Sequence, residues 1–199
     1  MKRTCTRLVA AAIWLLSASS VIAQPSVTDL REFSRQRYQH QKALSLTLGG
    51  YAVANMAVSG IAATQTTGET KYFHRMNTYW NAVNAGIAGI GLLGLRNRPE
   101  NESLGQAVRQ HENIKQFLLL NAGLDVAYIA GGLWLMERGN NRPDQRDKLR
   151  GFGKAVLVNG GFLLAFDVVN YFIFKGRDKR QQQLLEISPI GGRIVLPIK

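Results

Sequence analysis

Residues 76–95 read Met76-Asn77-Thr78-Tyr79-Trp80-Asn81-Ala82-Val83-Asn84-Ala85-Gly86-Ile87-Ala88-Gly89-Ile90-Gly91-Leu92-Leu93-Gly94-Leu95. Most of this run is apolar, yet it carries Asn77, Asn81 and Asn84. Residues three and four apart share a helix face, so the three amides form one polar stripe, continued by Ala88 and Gly91. The motif Trp80-Asn81-Ala82-Val83-Asn84 is echoed by Phe166-Asp167-Val168-Val169-Asn170. Each has an aromatic residue, then a carboxamide or carboxylate, then an Asn three positions on. Polar stripes inside apolar runs point to an all-α bundle of membrane-spanning helices whose stripes face one another.

Four such runs are present, at about 43–64, 76–95, 117–136 and 155–174. Each approaches the roughly 20 residues that a helix needs to cross a bilayer. They are rich in Gly and Ala. In water a Gly weakens a helix by about 1 kcal/mol, but in lipid it allows the close approach by which helices associate. A soluble four-helix bundle would need a charged outer face on each helix. Between 117 and 136 only Asp125 and Tyr128 are ionisable, so no such face exists there.

The 199 residues are 46% hydrophobic and 19% charged, with a formal charge of +12. The mean hydropathy of -0.09 looks low for a membrane protein. That average hides segregation, because the charges lie between the apolar runs. Basic residues flanking apolar spans contact anionic headgroups. No basic patch on a recognisable soluble module is present, so nucleic acid is not an expected partner. Expected partners are the lipid bilayer, further copies of the chain and other membrane proteins.

Residues 1–23 have the form of a signal peptide: a basic start, an apolar stretch from Leu8 to Leu16, and small residues before a break after Ala23. Cys5 lies in this leader and is the one cysteine, so the processed chain has no disulfide and no thiolate metal site. Residues 24–42 read as an amphipathic juxtamembrane helix at the membrane surface that runs into the first span, with Ser26 and Asp29 as a capping pair. Residues 43–175 form the four-span domain. Ser103 is placed to cap a long helix that becomes the third span. Residues 176–199 are a basic, extended tail, with a hairpin expected around Gly191-Gly192. The two halves, each a polar pre-helix and a pair of spans, suggest two αα-hairpin repeats.

At about 100° per residue, Tyr51, Asn55, Ser59 and Ala62 share a face of the first span. Asn121, Asp125, Tyr128 and Gly132 do so in the third. Asn159, Phe166 and Asn170 do so in the fourth, with Asp167 at the shoulder. Lipid cannot satisfy amides or carboxylates, so these faces should turn inward as a polar seam. The candidate intramembrane site is Asn55, Asn77, Asn81, Asn84, Asn121, Asp125, Asp167 and Asn170. A charge at mid-bilayer costs at least about 2.5 kcal/mol. Asp125 and Asp167 therefore suggest a proton or cation site, against the plainer reading of hydrogen-bonded interhelical glue.

His74 and Lys154 are candidate interface residues, with Lys154 expected to snorkel. His40 and His111 precede spans and fall on one side of the membrane. With Glu112 they are read as ordinary surface groups, not metal ligands. No cofactor is expected, since haem would need histidines within the spans. The catalytic triad, zinc-protease and phosphate-loop patterns are missing, which makes an enzyme the weakest class.

Several strings resemble a family of small bacterial membrane proteins of unknown function. They are Gly50-Tyr51-Ala52-Val53-Ala54-Asn55, Lys71-Tyr72-Phe73-His74-Arg75-Met76-Asn77 with Trp80-Asn81-Ala82-Val83-Asn84, Leu120-Asn121-Ala122-Gly123-Leu124-Asp125, and Gly151-Phe152-Gly153-Lys154 with Phe162-Leu163-Leu164-Ala165-Phe166-Asp167. The similarity covers about residues 40–175. It implies the four-span form and no activity.

A cleaved leader places both mature ends in the periplasm and the protein in the bacterial inner membrane. Lys71, Arg75 and the basic residues from Arg138 to Lys154 then face the cytoplasm, while the larger share of Lys and Arg stays outside. The positive-inside rule prefers the reverse, and the leader is taken to decide. The expected function is a structural or accessory membrane protein. The competing expectation is a small transporter or channel for a proton, ion or polar solute, working through Asp125, Asp167, Asn81, Asn84 and Asn170.

Overall fold

The computed structural model describes residues 27–95 and 102–187. The leader, Ser26, the 96–101 connection and the expected hairpin beyond 187 lie outside the described residues. Four long helices are present: α1 (Val27–Gln65), α2 (Gly68–Gly94), α3 (Leu104–Asn140) and α4 (Arg146–Lys175). A short α5 (Asp178–Glu186) follows, and no strand occurs among the described residues.

The connections follow from local chemistry. Between α1 and α2 the chain turns through Thr66 and Thr67 into Gly68, whose φ of 60° lies in the left-handed region that glycine enters without steric cost. Ser103 caps α3 as expected: its Oγ accepts from the Gln106 amide at 3.3 Å, and Gln106 Oε1 accepts from the Ser103 amide at 3.0 Å. Pro143 opens a single 3-10 turn before α4, a position where its missing N–H costs nothing.

Two antiparallel hairpins, α1–α2 and α3–α4, are joined by packing of α2 on α4. Glycines set the closest approaches. A Cβ at Gly153 would lie 2.5 Å from the Gly132 carbonyl oxygen, and one at Gly151 would strike the first turn of α2. By contrast α2 and α3 meet at one ring contact, Trp80 edge-on to Tyr128 at 4.9 Å. α1 touches α3 near the chain-terminal end, where Phe33 and Arg37 meet Ala107 and His111.

The polarity is inverted relative to a water-soluble bundle. Asn81 and Asn159 are fully buried and Asp125 is 2% exposed, whereas Ile90 is 72% and Leu120 62% exposed. Three helical stretches, Val27–Gln65, Leu104–Asn140 and Pro143–Glu186, are long and apolar enough to cross a membrane. α2 is not among them, because its Asn stripe and the polar start Lys71–Arg75 lower its hydropathy.

Residues 27–42 and the first span form one continuous helix, α1, and the inward side of its first part is covered by protein at Phe33, Ser34 and Arg37. Two expectations change. The tail does not become extended at Leu185: residues 178–186 form α5, which packs on α1 and α3 through Leu184 and Gln181. Lys154, expected to snorkel, lies two turns inside α4 and pairs with Glu69 of α2.

Candidate functional site

The polar faces come together at three levels of the bundle. Nearest the 66–67 turn is an amide network. Asn77 Nδ2 donates to Ser59 Oγ at 2.7 Å and to Asn55 Oδ1 at 3.2 Å. Its Oδ1 accepts from Asn159 Nδ2 at 2.7 Å and from Asn81 Nδ2 at 3.0 Å. Asn81 Nδ2 also reaches Asn159 Oδ1 at 3.0 Å. His74 Nδ1 lies 3.2 Å from Ser59 Oγ, and the Tyr51 hydroxyl donates to Asn159 at 3.4 Å. These bonds cross α1, α2 and α4, so most of the amide groups bond to one another, while Asn81 Oδ1 is buried without a partner. Glu69, Arg150 and Lys154 close this end as an ion-pair group. The Lys154 ammonium, with Arg150 beside it, holds the Glu69 carboxyl below its ordinary range.

The middle level is a cavity of about 870 Å³ between α2 and α3, with α1 and α4 completing its wall. It exists because α2 and α3 barely touch: α2 is held by α1 and α4, while α3 is held chiefly by α4, with smaller contacts to α1 and α5. The lining is largely apolar, but Asn84, Asn121, Asp125 and Asp167 all contribute to it. Asp125 of α3 and Asp167 of α4 are neighbours on this wall, close enough to act on one another electrostatically. Asp125 Oδ2 and Asn84 Nδ2 are buried and have no amide, hydroxyl or cation as partner. No Lys, Arg or His lines the cavity.

The third level, at the chain-terminal end, is a set of ion pairs. Arg37 meets Glu102 at 2.6 Å with both side chains buried, and also donates to the Ala107 carbonyl at 3.1 Å. His40 Nε2 donates to Asn170 Oδ1 at 2.9 Å, and its Nδ1 accepts from Arg177 at 2.9 Å. The His40 ring stacks on Phe174 with centroids 4.5 Å apart. His111 packs on the same phenyl ring at 5.8 Å and donates to Asp178 at 3.0 Å. Burial pushes both imidazoles below their ordinary value. For Asp178 burial acts upward, but hydrogen bonds from Lys115 and His111 outweigh it and hold the carboxyl low.

His111, Glu112 and Asp178 offer ligand atoms within 4.8 Å of one another, a spacing that suits a metal. Lys115 Nζ stands there instead, 2.7 Å from Asp178 and 2.9 Å from Glu112. The ammonium supplies the positive charge that an ion would bring. His40 is separated from His111 by Phe174, so the two do not converge.

The eight candidate residues thus divide. Asn55, Asn77 and Asn81 enter the network. Asn84, Asn121, Asp125 and Asp167 line the cavity. Asn170 belongs to the terminal cluster. Asn159 and Ser59 are network members that the candidate set left out, although each lay on a polar face at helical spacing. The Arg37–Glu102 pair had no signal, since its partners are 65 residues apart.

No curated protein and no solved structure matches the chain. A family model covers residues 47–168, from the middle of α1 to Asp167 and therefore across the network and both acids, and the chain belongs to that family, the family of unknown function DUF6992.

Proposed function

We propose that the chain is an integral protein of the bacterial inner membrane that crosses it four times, with a cleaved leader and both mature ends in the periplasm. The inverted polarity of the bundle supports the membrane setting. α2 falls short in hydropathy, but Asn77 and Asn81 bond to amides of α1 and α4, which removes part of the cost of inserting them. A reporter fused after Lys199 tests the topology. Four crossings after a cleaved leader put it outside; a cytoplasmic reporter sinks this arrangement.

Of the two functions expected from the sequence, the cavity favours the second: a small transporter or channel for a proton, ion or polar solute. The observation that carries it is the Asp125–Asp167 pair on the wall of a cavity that contains no base. Intramembrane carboxyls facing a cavity mark proton and ion paths. Asp167 and Asp125 are the residues at work, with Asn84 and Asn121 as polar wall. Reconstituted protein should show proton or cation flux that Asp167→Asn abolishes without loss of folding. If no small ion moves in proteoliposomes, the transport reading is wrong.

A structural or accessory role is the second reading, favoured by the cross-helix network of Asn55, Asn77, Asn81 and Asn159. It predicts that Asp167→Asn is nearly silent and that Asp167→Leu weakens assembly, read as the amount of folded protein recovered from membranes.

A further inference from the structure

Resting on the reading of the cavity as a binding site, we infer that its ligand is an amphipathic organic cation, an amine or quaternary onium with an apolar body, that enters from the bilayer between α2 and α3.

Four observations converge on that chemistry. First, the wall is built for an apolar body: Ile87 and Ile90 of α2 face Phe117 and Leu124 of α3 across the opening. Second, the polar part is acidic and uncompensated. Asp125 and Asp167 share one site, and the cavity contains no Lys, Arg or His. Third, Asp125 is 2% exposed, lines the cavity, and its Oδ2 has no protein partner. A buried carboxyl oxygen left free beside a cavity suits a cation brought from outside the chain. Fourth, Trp80 and Tyr128 close one side of the space. Aromatic faces attract organic cations, and most strongly where water is excluded.

The opening sets the route. α2 and α3 pack only weakly against each other, and two cavity-lining residues on these helices, Ile90 and Phe117, are exposed. In a bilayer that side faces acyl chains, where an amphipathic cation already concentrates.

Cation and proton compete at the pair. The ionisable groups facing it are few: α3 gives Asp125 and Tyr128, α4 gives Asp167, and α1 and α2 contribute only uncharged groups to the cavity, among them Gln41, Ser45 and Asn84. A bound cation lowers the pair's affinity for its proton, and by reciprocity a proton lowers the affinity for the cation.

The test is binding of tetraphenylphosphonium to the purified full chain in lipid nanodiscs, by equilibrium dialysis. Saturable one-to-one binding is expected, tightening by about tenfold or more between pH 5.5 and 8. The double variant Asp125→Asn/Asp167→Asn, near-isosteric, should lose at least tenfold in affinity and all of the pH response. Leu124→Trp narrows the opening without touching the acids and should weaken binding while keeping the pH response. Tetraphenylborate, of the same shape and opposite charge, should not bind saturably. Equal binding of the two probes, or unchanged binding by the double variant, overturns the inference and makes the cavity a plain lipid-facing groove. Inorganic cation or proton flux that requires Asp167, with no phosphonium binding, overturns it and leaves the transport reading standing. Phosphonium binding that requires the pair, with no flux of any kind, keeps it and removes transport.

Discussion

Gly132 of α3 and Gly153 of α4 face each other with no side chain between them. A Cβ on Gly153 would lie 2.5 Å from the Gly132 carbonyl oxygen, and a Cβ on Gly132 would lie 2.8 Å from that of Gly153. The obstacles are backbone atoms, so neither helix can yield by changing a rotamer.

It follows that Gly153→Ala or Gly132→Ala should push α3 away from α4. Overpacking of this kind costs about 1–3 kcal/mol. Gly161→Ala, where an added Cβ meets nothing within 4 Å, is the matched control and should be nearly silent. Thermal unfolding in one detergent compares the three. Equal stability of Gly153→Ala and the control would mean that the α3–α4 contact is looser than described.

Asn77 bonds to Asn55, Ser59, Asn81 and Asn159 at once. Interhelical hydrogen bonds in membranes contribute about 0.6–2 kcal/mol. Asn77→Ala should lose that much or more, since four partners are left short. Asn77→Ala and Asn159→Ala should be markedly non-additive in a double-mutant cycle. Additive effects would show that the amides do not act as one unit.

The Arg37–Glu102 pair is buried on both sides, at 1% and 5% side-chain exposure. Removing one member of a buried pair costs about 3–5 kcal/mol, because it strands the other charge. Arg37→Met should therefore be more damaging than the double change Arg37→Met/Glu102→Leu. Proteolysis at the chain-terminal end reads the difference. A double variant worse than the single would sink this account.

Acid should loosen the terminal end before it touches the rest. The folded pKa values of His40 and His111 lie below the free value of 6.5, chiefly through burial. The unfolded chain then binds more protons, so their contribution is complete above about pH 6.5 and falls as pH drops below it. The His40 ring makes the reason concrete: its Nδ1 accepts from Arg177, and a proton there would face a guanidinium. Asp178, held below 3.8, adds stability that is lost only at lower pH. Between pH 6.5 and 5 the effect belongs to the histidines. Hydrogen exchange across residues 178–186 should quicken over that range, and His40→Gln should blunt the response. An exchange rate flat from pH 7.5 to 5, once corrected for intrinsic chemistry, would contradict it.

Periodicity alone determined the four long helices and their inward polar faces, because helix geometry converts spacing into a face, and composition made three helical stretches long and apolar enough to cross a membrane. The Asn77–Asn81–Asn84 stripe, the Ser103 cap and the inward aim of Asp125 and Asp167 were legible for that reason. Tertiary structure decided which faces meet. It sent Asn159, and not Asn84, to the amide network, paired Lys154 with Glu69, and joined Asp125 to Asp167. It also left α2 apart from α3, which is what makes a cavity. Those outcomes depend on helix rotation and on contacts between residues far apart in the chain. Local spacing has no term for either, and the glycines at 132, 151 and 153 that set the rotation look alike in sequence to those at 86, 89 and 161 that touch nothing.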